Sequence, residues 1–355
     1  MKLLINLSFL LTKPTGISTY ALNLLPHLQQ LYPTLLVSQE IPGYNCYSIP
    51  ANQSAAEGVK GHLKRLVWTQ FQLPQIYRKL KSQILFSLLP EAPLHTNCRF
   101  VVMVHDFIPL RFPKGFSPLT LYHRYYIPQV IKQAQHIVCN SQATAKDITD
   151  FFHIPASKIT SIPLAHDRSH FRFFNLPTRN YFLYIGRQNT YKNLHGLIAA
   201  FAALPNNSDY ELWLAGPSDR RYTPTLTAQV AQLGITNQVK FLDYVPYSEL
   251  PKIINEAIAL VFPSLWEGFG LPVLEAMACG TPVITSNLSS LPEVAGDAAI
   301  LIDPYNTKEI TEAMEAIATD SALRSRLSSQ GIIHSQQFSW EKTGQATAEV
   351  LSRYV

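Results

Sequence analysis

The sequence predicts an α/β protein built from two doubly wound, Rossmann-like domains. Three observations lead there. The chain has 355 residues, against the roughly 150 of a typical domain. Short apolar runs alternate with helix-length segments from one end to the other. The runs fall into two sets, parted at 163–180 by a stretch with prolines, mixed charge and no sustained period.

The first set lies at 3–7, 35–38, 84–87, 100–104, 137–140 and 159–162, with helical patterns such as 18–31 and 141–152 between. Ser141 suits the N-cap of the latter, and Asp147 falls early enough for the helix dipole to tolerate it. The second set lies at 181–185, 211–215, 239–242, 259–262, 282–285 and 299–302. Runs this short and uniformly apolar, separated by helices, indicate parallel sheets with right-handed crossovers. The division expected is an N-terminal domain at 1–170, a C-terminal domain at 171–336 and a last helix at 337–355, opened by Ser339 as N-cap.

Composition narrows the function. Hydrophobic residues make up 47% and charged residues 15%, which excludes long disordered tails. Cys46, Cys98, Cys139 and Cys279 lack paired spacing, so neither a disulfide scaffold nor a zinc ribbon is expected. No apolar run reaches the roughly 18 residues of a membrane span. The segment 1–11 is apolar but interrupted by Asn6 and Ser8, without a small-x-small cleavage site. It reads as a first buried strand, and the protein as cytoplasmic. The net charge of +5 suits an anionic ligand or an anionic membrane surface and does not demand nucleic acid.

The most informative stretch is 263–282, PSLWEGFGLPVLEAMACGTP, which starts at the carboxyl end of the run 259–262. Ligands bind at those ends in open α/β sheets. Gly268 and Gly270 admit close backbone approach, and Pro272 suits the first helical position. The N–H groups near Phe269, Gly270 and Leu271 then face an anion, with a helix dipole behind them. Glu267 and Glu275 flank that turn and can accept hydrogen bonds from sugar hydroxyls. Arg187 follows the run 181–185, and Lys192 opens the next helical pattern. Cations at a helix N-terminus are unfavourable unless an anion such as diphosphate sits there. Both are expected to face a solvated cleft. His105 and Asp106 follow the run 100–104 at a strand end.

These residues stand in a recognisable setting. SLWEGFGLPVLEAMACGTPVI at 264–284, with Glu267 and Glu275 as an E-x7-E pair, resembles the retaining glycosyltransferases of family 4, which have the GT-B fold. VVMVHDFIP at 101–109, IVCNSQATAKDI at 137–148, YIGRQNTYKN at 184–193 and LPEVAGDAAILIDP at 291–304 extend the resemblance over nearly the whole chain. It implies two Rossmann-like domains with a cleft between them and a C-terminal helix crossing back to the first. It implies a nucleotide-diphosphate sugar donor held mainly by the C-terminal domain, no cofactor, and transfer with retention to a glycan or lipid-linked hydroxyl. Glu267 and His105 then meet the transferred sugar, Glu275 the ribose, Arg187 and Lys192 the diphosphate, and backbone near Val245 the base. The loop after the first strand, Lys13 to Ile17, carries only Gly16 where the family often has two glycines. GDP-mannose is the donor favoured by resemblance to bacterial polysaccharide mannosyltransferases, with UDP-sugars as the alternative.

No D-x-D pair is present to hold a divalent ion on the diphosphate, so metal-independent chemistry is expected. No Walker A and no G-x-G-x-x-G follow the first strand. A hydrolase or epimerase of the same fold, and a non-catalytic sugar-binding protein, are the rival readings. At 59–81 an apolar helical face (Val59, Leu63, Leu66, Val67, Phe71, Ile76, Leu80) adjoins Lys60, Lys64, Arg65, Arg78, Lys79 and Lys81. The reading preferred is a core-packed helix with a basic outer face. A peripheral contact with the inner membrane surface is the alternative.

Overall fold

The computed structural model describes residues 2–10, 16–51, 58–113 and 117–354. The chain divides into two compact units, 1–164 with 339–355, and 165–338. The sequence reading put these divisions at 170/171 and 336/337. The physical reason for the shift is Arg168, whose guanidinium donates to the backbone oxygens of Gln336 (2.5 Å) and Phe338 (3.0 Å) and so ties the start of the second unit to its end.

The first unit holds one sheet of seven strands: β1 (Leu3–Asn6), β2 (Thr34–Val37), β3 (Asn45–Ser48), β4 (Ile84–Ser87), β5 (Phe100–Val104), β6 (His136–Cys139) and β7 (Ile159–Ser161). Their order is β3-β2-β1-β4-β5-β6-β7, parallel throughout. Strands β1, β4, β5 and β6 are buried along their whole length, because helices cover both faces. β3 was absent from the sequence reading. It is a half-exposed edge strand, NCYS, with no apolar run to signal it. Ser141 does cap the helix Gln142–Phe152, accepting from the Thr144 amide. Asp147 is buried and held by Arg111. Ser339 caps the helix Trp340–Ser352 by accepting from the Lys342 amide at 3.2 Å. That helix packs on Gly16–Leu28: Trp340 lies against Tyr20, and Thr343 donates to Pro163 O at 2.8 Å.

The second unit repeats the winding in six strands: β8 (Tyr181–Ile185), β9 (Glu211–Ala215), β10 (Val239–Asp243), β11 (Ala259–Phe262), β12 (Val283–Ser286) and β13 (Ile300–Ile302). Their order is β10-β9-β8-β11-β12-β13, again parallel throughout. The winding reverses between β8 and β11. A crevice opens at such a reversal, at the carboxyl ends of the strands, because successive helices leave toward opposite faces.

One expectation is overturned. The segment 59–81 forms two helices, Gly58–Phe71 and Leu73–Lys79, and the apolar face of the first does not pack on the core. Gly61, Arg65, Trp68 and Thr69 take the buried side instead. Arg65 can be buried because Glu91 meets it in a two-pronged pair, Nε to Oε2 at 2.7 Å and the terminal nitrogen to Oε1 at 2.8 Å. Among the described residues no helix is long and apolar enough to cross a membrane.

Candidate active site

The two loops at the reversal of the second sheet carry most of the residues singled out above. β8 runs into Gly186 and Arg187, then a single turn at Thr190–Lys192 before the helix Leu194–Ala202. β11 runs into the loop 263–270 and the helix Leu271–Ala278. The Leu265 amide donates to Tyr191 O at 2.8 Å and binds the two loops together. Across this joint Lys192 Nζ donates to Glu267 Oε1 at 2.5 Å, both side chains being only 11% exposed. The ammonium also lies 5.1 Å from the centre of the Phe262 ring and 5.3 Å from that of Tyr191. The expectation that both cations face open solvent therefore holds for Arg187 alone. Arg187 is exposed and its guanidinium has no partner among the described residues, whereas Lys192 is already neutralised.

The loop around Glu267 is fixed by two serines that sequence reasoning missed. Ser289 Oγ accepts from the Glu267 amide at 3.0 Å. Ser290 Oγ, fully buried, lies 3.1 Å from Glu267 O and 2.7 Å from Phe269 O, donating to these carbonyls. Beyond them Gly270 takes φ 115°, a conformation side chains rarely adopt, and a Cβ there would lie 2.7 Å from Leu291 Cδ2. Pro272 occupies the second helical position rather than the first. The amides of Phe269, Gly270 and Leu271 carry no hydrogen bond among the described residues. Three free donors at the head of a helix form a seat for an anion.

Glu275 lies on that helix, partly buried, and burial pushes its carboxyl up to about 7. Val245, partly buried, follows the end of β10. Two residues on, Tyr247 stacks on His170 with ring centres 3.9 Å apart. Glu275 and Asp167 both raise the Tyr247 phenol further, beyond the effect of its burial. Gly216 at the end of β9 was also missed: a Cβ there would fall 1.9 Å from Gly186 O, so the strand ends of β8 and β9 touch backbone to backbone. Among the described residues no three His, Cys, Asp or Glu side chains cluster as a metal site.

In the first unit His105 follows β5, with its ring edge-to-face against Tyr20 at 5.2 Å. Nε2 lies 3.0 Å from Leu88 O. A carbonyl only accepts, so Nε2 carries the proton and Nδ1 is left as an acceptor. Burial lowers this imidazole to about 4, so it is neutral near pH 7. Asp106 Oδ1 accepts from the Ile108 amide at 3.0 Å. Gly16 is exposed at the start of its helix, while Lys13, Pro14 and Thr15 lie outside the described residues.

Residues 167–334 match the family described as glycosyl transferases group 1, and residues 14–170 match glycosyltransferase family 4. The O-antigen chain mannosyltransferase B of Escherichia coli is 32% identical over 276 residues, 73% of this chain and 71% of that protein. This chain belongs to glycosyltransferase family 4. A second family member, the O-antigen chain mannosyltransferase RfbU of Salmonella typhimurium, is 27% identical over 89% of this chain and 90% of its own. Sucrose-phosphate synthase from Thermosynechococcus elongatus superimposes with a TM-score of 0.77 over 99% of this chain and 98% of that one, at 18% identity. The fold is GT-B, and the chain is a glycosyltransferase. The exposed Arg187 guanidinium and the amides of Phe269, Gly270 and Leu271 lie on the two loops that follow β8 and β11.

Proposed function

We propose that this enzyme transfers a mannosyl residue from GDP-mannose to a hydroxyl of a glycan or lipid-linked acceptor. It does so with retention of anomeric configuration and without a metal ion. The observation that carries the donor class is the seat at the head of the helix Leu271–Ala278, with Lys192 and Arg187 on the adjoining loop. Mannose is favoured by the names of both bacterial relatives.

On this reading the amides of Phe269, Gly270 and Leu271 and the Arg187 guanidinium hold the diphosphate. Lys192 leaves Glu267 for a phosphate oxygen, which frees Glu267 to accept from hydroxyls of the transferred sugar. His105 Nδ1 accepts from another sugar hydroxyl. Glu275 accepts from the ribose, backbone near Val245 meets the base, and Gly16 is a further donor contact. The bond from the anomeric carbon to the phosphate oxygen breaks as the bond to the acceptor oxygen forms on the same face. The acceptor proton passes to the departing phosphate oxygen. Negative charge grows on the diphosphate in that step, so the cations and amides stabilise the transition state more than the ground state.

The test is product analysis by NMR with GDP-, UDP- and ADP-sugars, with and without a mannan-type acceptor, in excess EDTA. An α-linked mannosyl product from GDP-mannose, formed in EDTA, is the expected outcome. Free mannose or an epimer regardless of acceptor would establish the hydrolase or epimerase instead. Activity lost in EDTA and restored by Mn²⁺ would contradict metal independence.

A further inference from the structure

We infer that the outer face of the helix Gly58–Phe71 docks on an anionic lipid surface. Val59, Leu63, Val67 and Phe71 follow one another at intervals of four residues and so share one side of the helix. They are 67%, 60%, 50% and 68% exposed, whereas the central strands β1, β4, β5 and β6 of the same unit bury every residue. Lys60 and Lys64 stand on the same outer side, both exposed. Helical geometry requires it: the buried side is occupied by Gly61, Arg65, Trp68 and Thr69. A helix that turns its apolar stripe outward and places a buried ion pair inward leaves apolar surface in water, which is unfavourable unless something covers it.

Charge decides what covers it. From Gly58 to Pro90 there is no acidic residue, while Lys60, Lys64, Arg65, Arg78, Lys79 and Lys81 are basic. Arg65 is consumed by Glu91; Lys60, Lys64, Arg78 and Lys79 remain exposed. A second copy of this face would bring like charges together, and a protein partner would need an acidic rim around an apolar ridge. An anionic bilayer supplies both properties in one surface. The apolar side chains enter the acyl boundary, and the lysine stems run along it with their ammonium groups among the headgroups. A groove of about 620 Å³ beside the stripe, lined by Pro50, Ala51, Lys60, Leu63, Lys64 and Trp68 among others, could take an acyl segment under two lysines.

The experiment is co-sedimentation of the full chain with vesicles of phosphatidylcholine alone or with one third phosphatidylglycerol, at about 0.1 M salt. Binding to the anionic vesicles and not to the neutral ones is expected. Lys60→Gln and Lys64→Gln should each weaken partitioning about fivefold. Leu63→Ser with Val67→Ser should weaken it at least tenfold. These side chains are exposed, so the melting temperature should hold. Phe71→Trp should gain a blue-shifted emission component on anionic vesicles and none on neutral ones. Overturning results are no sedimentation of wild type with anionic vesicles, or binding unchanged in the Leu63/Val67 double variant. A dimer in light scattering that this double variant abolishes would assign the face to a second copy instead.

Discussion

At the scale of single residues, the pair Lys192–Glu267 does most to define the site. Each group neutralises the other in the free protein, and on the proposed reading the donor separates them. Lys192→Ala leaves a buried carboxylate unpaired and should cost about 3 kcal/mol in denaturant unfolding. Arg187→Ala, at an exposed side chain without a partner among the described residues, should stay within about 0.5 kcal/mol of wild type. Glu267→Gln releases Lys192 from its competing anion. Calorimetry should find nucleoside diphosphate bound more tightly than by wild type, while turnover at saturating donor falls; weaker diphosphate binding would contradict the exchange. Glu275 gives a pH signature. Its folded pKa lies above that of an unfolded carboxyl, so its contribution to stability is present below about pH 4.5 and is lost as pH rises through about 7. Glu275→Gln should therefore be more stable than wild type above pH 7, with no advantage below about pH 5. Ribose hydroxyls favour the carboxylate, so donor affinity in wild type should rise between pH 6 and 8, and Glu275→Gln should flatten that rise. A parallel rise in both proteins would remove Glu275 from the ribose site.

At the scale of elements, two glycines hold the strand ends in place. Gly216→Ala sets a Cβ 1.9 Å from a backbone oxygen, which no rotamer change relieves. Gly270→Ala meets only the tip of Leu291, though at a strained φ. Thermal unfolding should show the Gly216 change as the more destabilising, and Gly270→Ala should lose donor affinity with the smaller loss of stability, about 1–3 kcal/mol. Equal melting temperatures would mean that the β8–β9 contact relaxes easily. The carboxyl-end loops were legible because the chemistry of the stretch 263–275 is local: glycines, prolines and two glutamates within one loop and the first turns of its helix. The twelve apolar runs correspond to strands for the same local reason. β3 was not legible, since an exposed edge strand needs no apolar run. Nor were Ser289 and Ser290: two serines twenty-odd residues from Glu267 look like any turn until the fold brings them under it. The helix Gly58–Phe71 misled because periodicity finds an apolar face but does not say which way it points. The partner that reverses it, Glu91, lies 26 residues away from Arg65.

At the scale of the whole molecule, the same winding is used twice, and the chain returns to the first unit through the helix Trp340–Ser352. The mild net positive charge is unevenly spent: two cations stand at the reversal of the second sheet, and a basic run lies in the first unit. The central claim is that the loops after β8 and β11 hold the diphosphate of a sugar nucleotide. Arg187→Ala tests it most directly, because that variant should keep the fold intact. Calorimetric titration with GDP-mannose and with free mannose should show the first weakened about 10–100-fold, the worth of one charge-assisted hydrogen bond, and the second unchanged. GDP-mannose bound as tightly by Arg187→Ala as by wild type would contradict the claim.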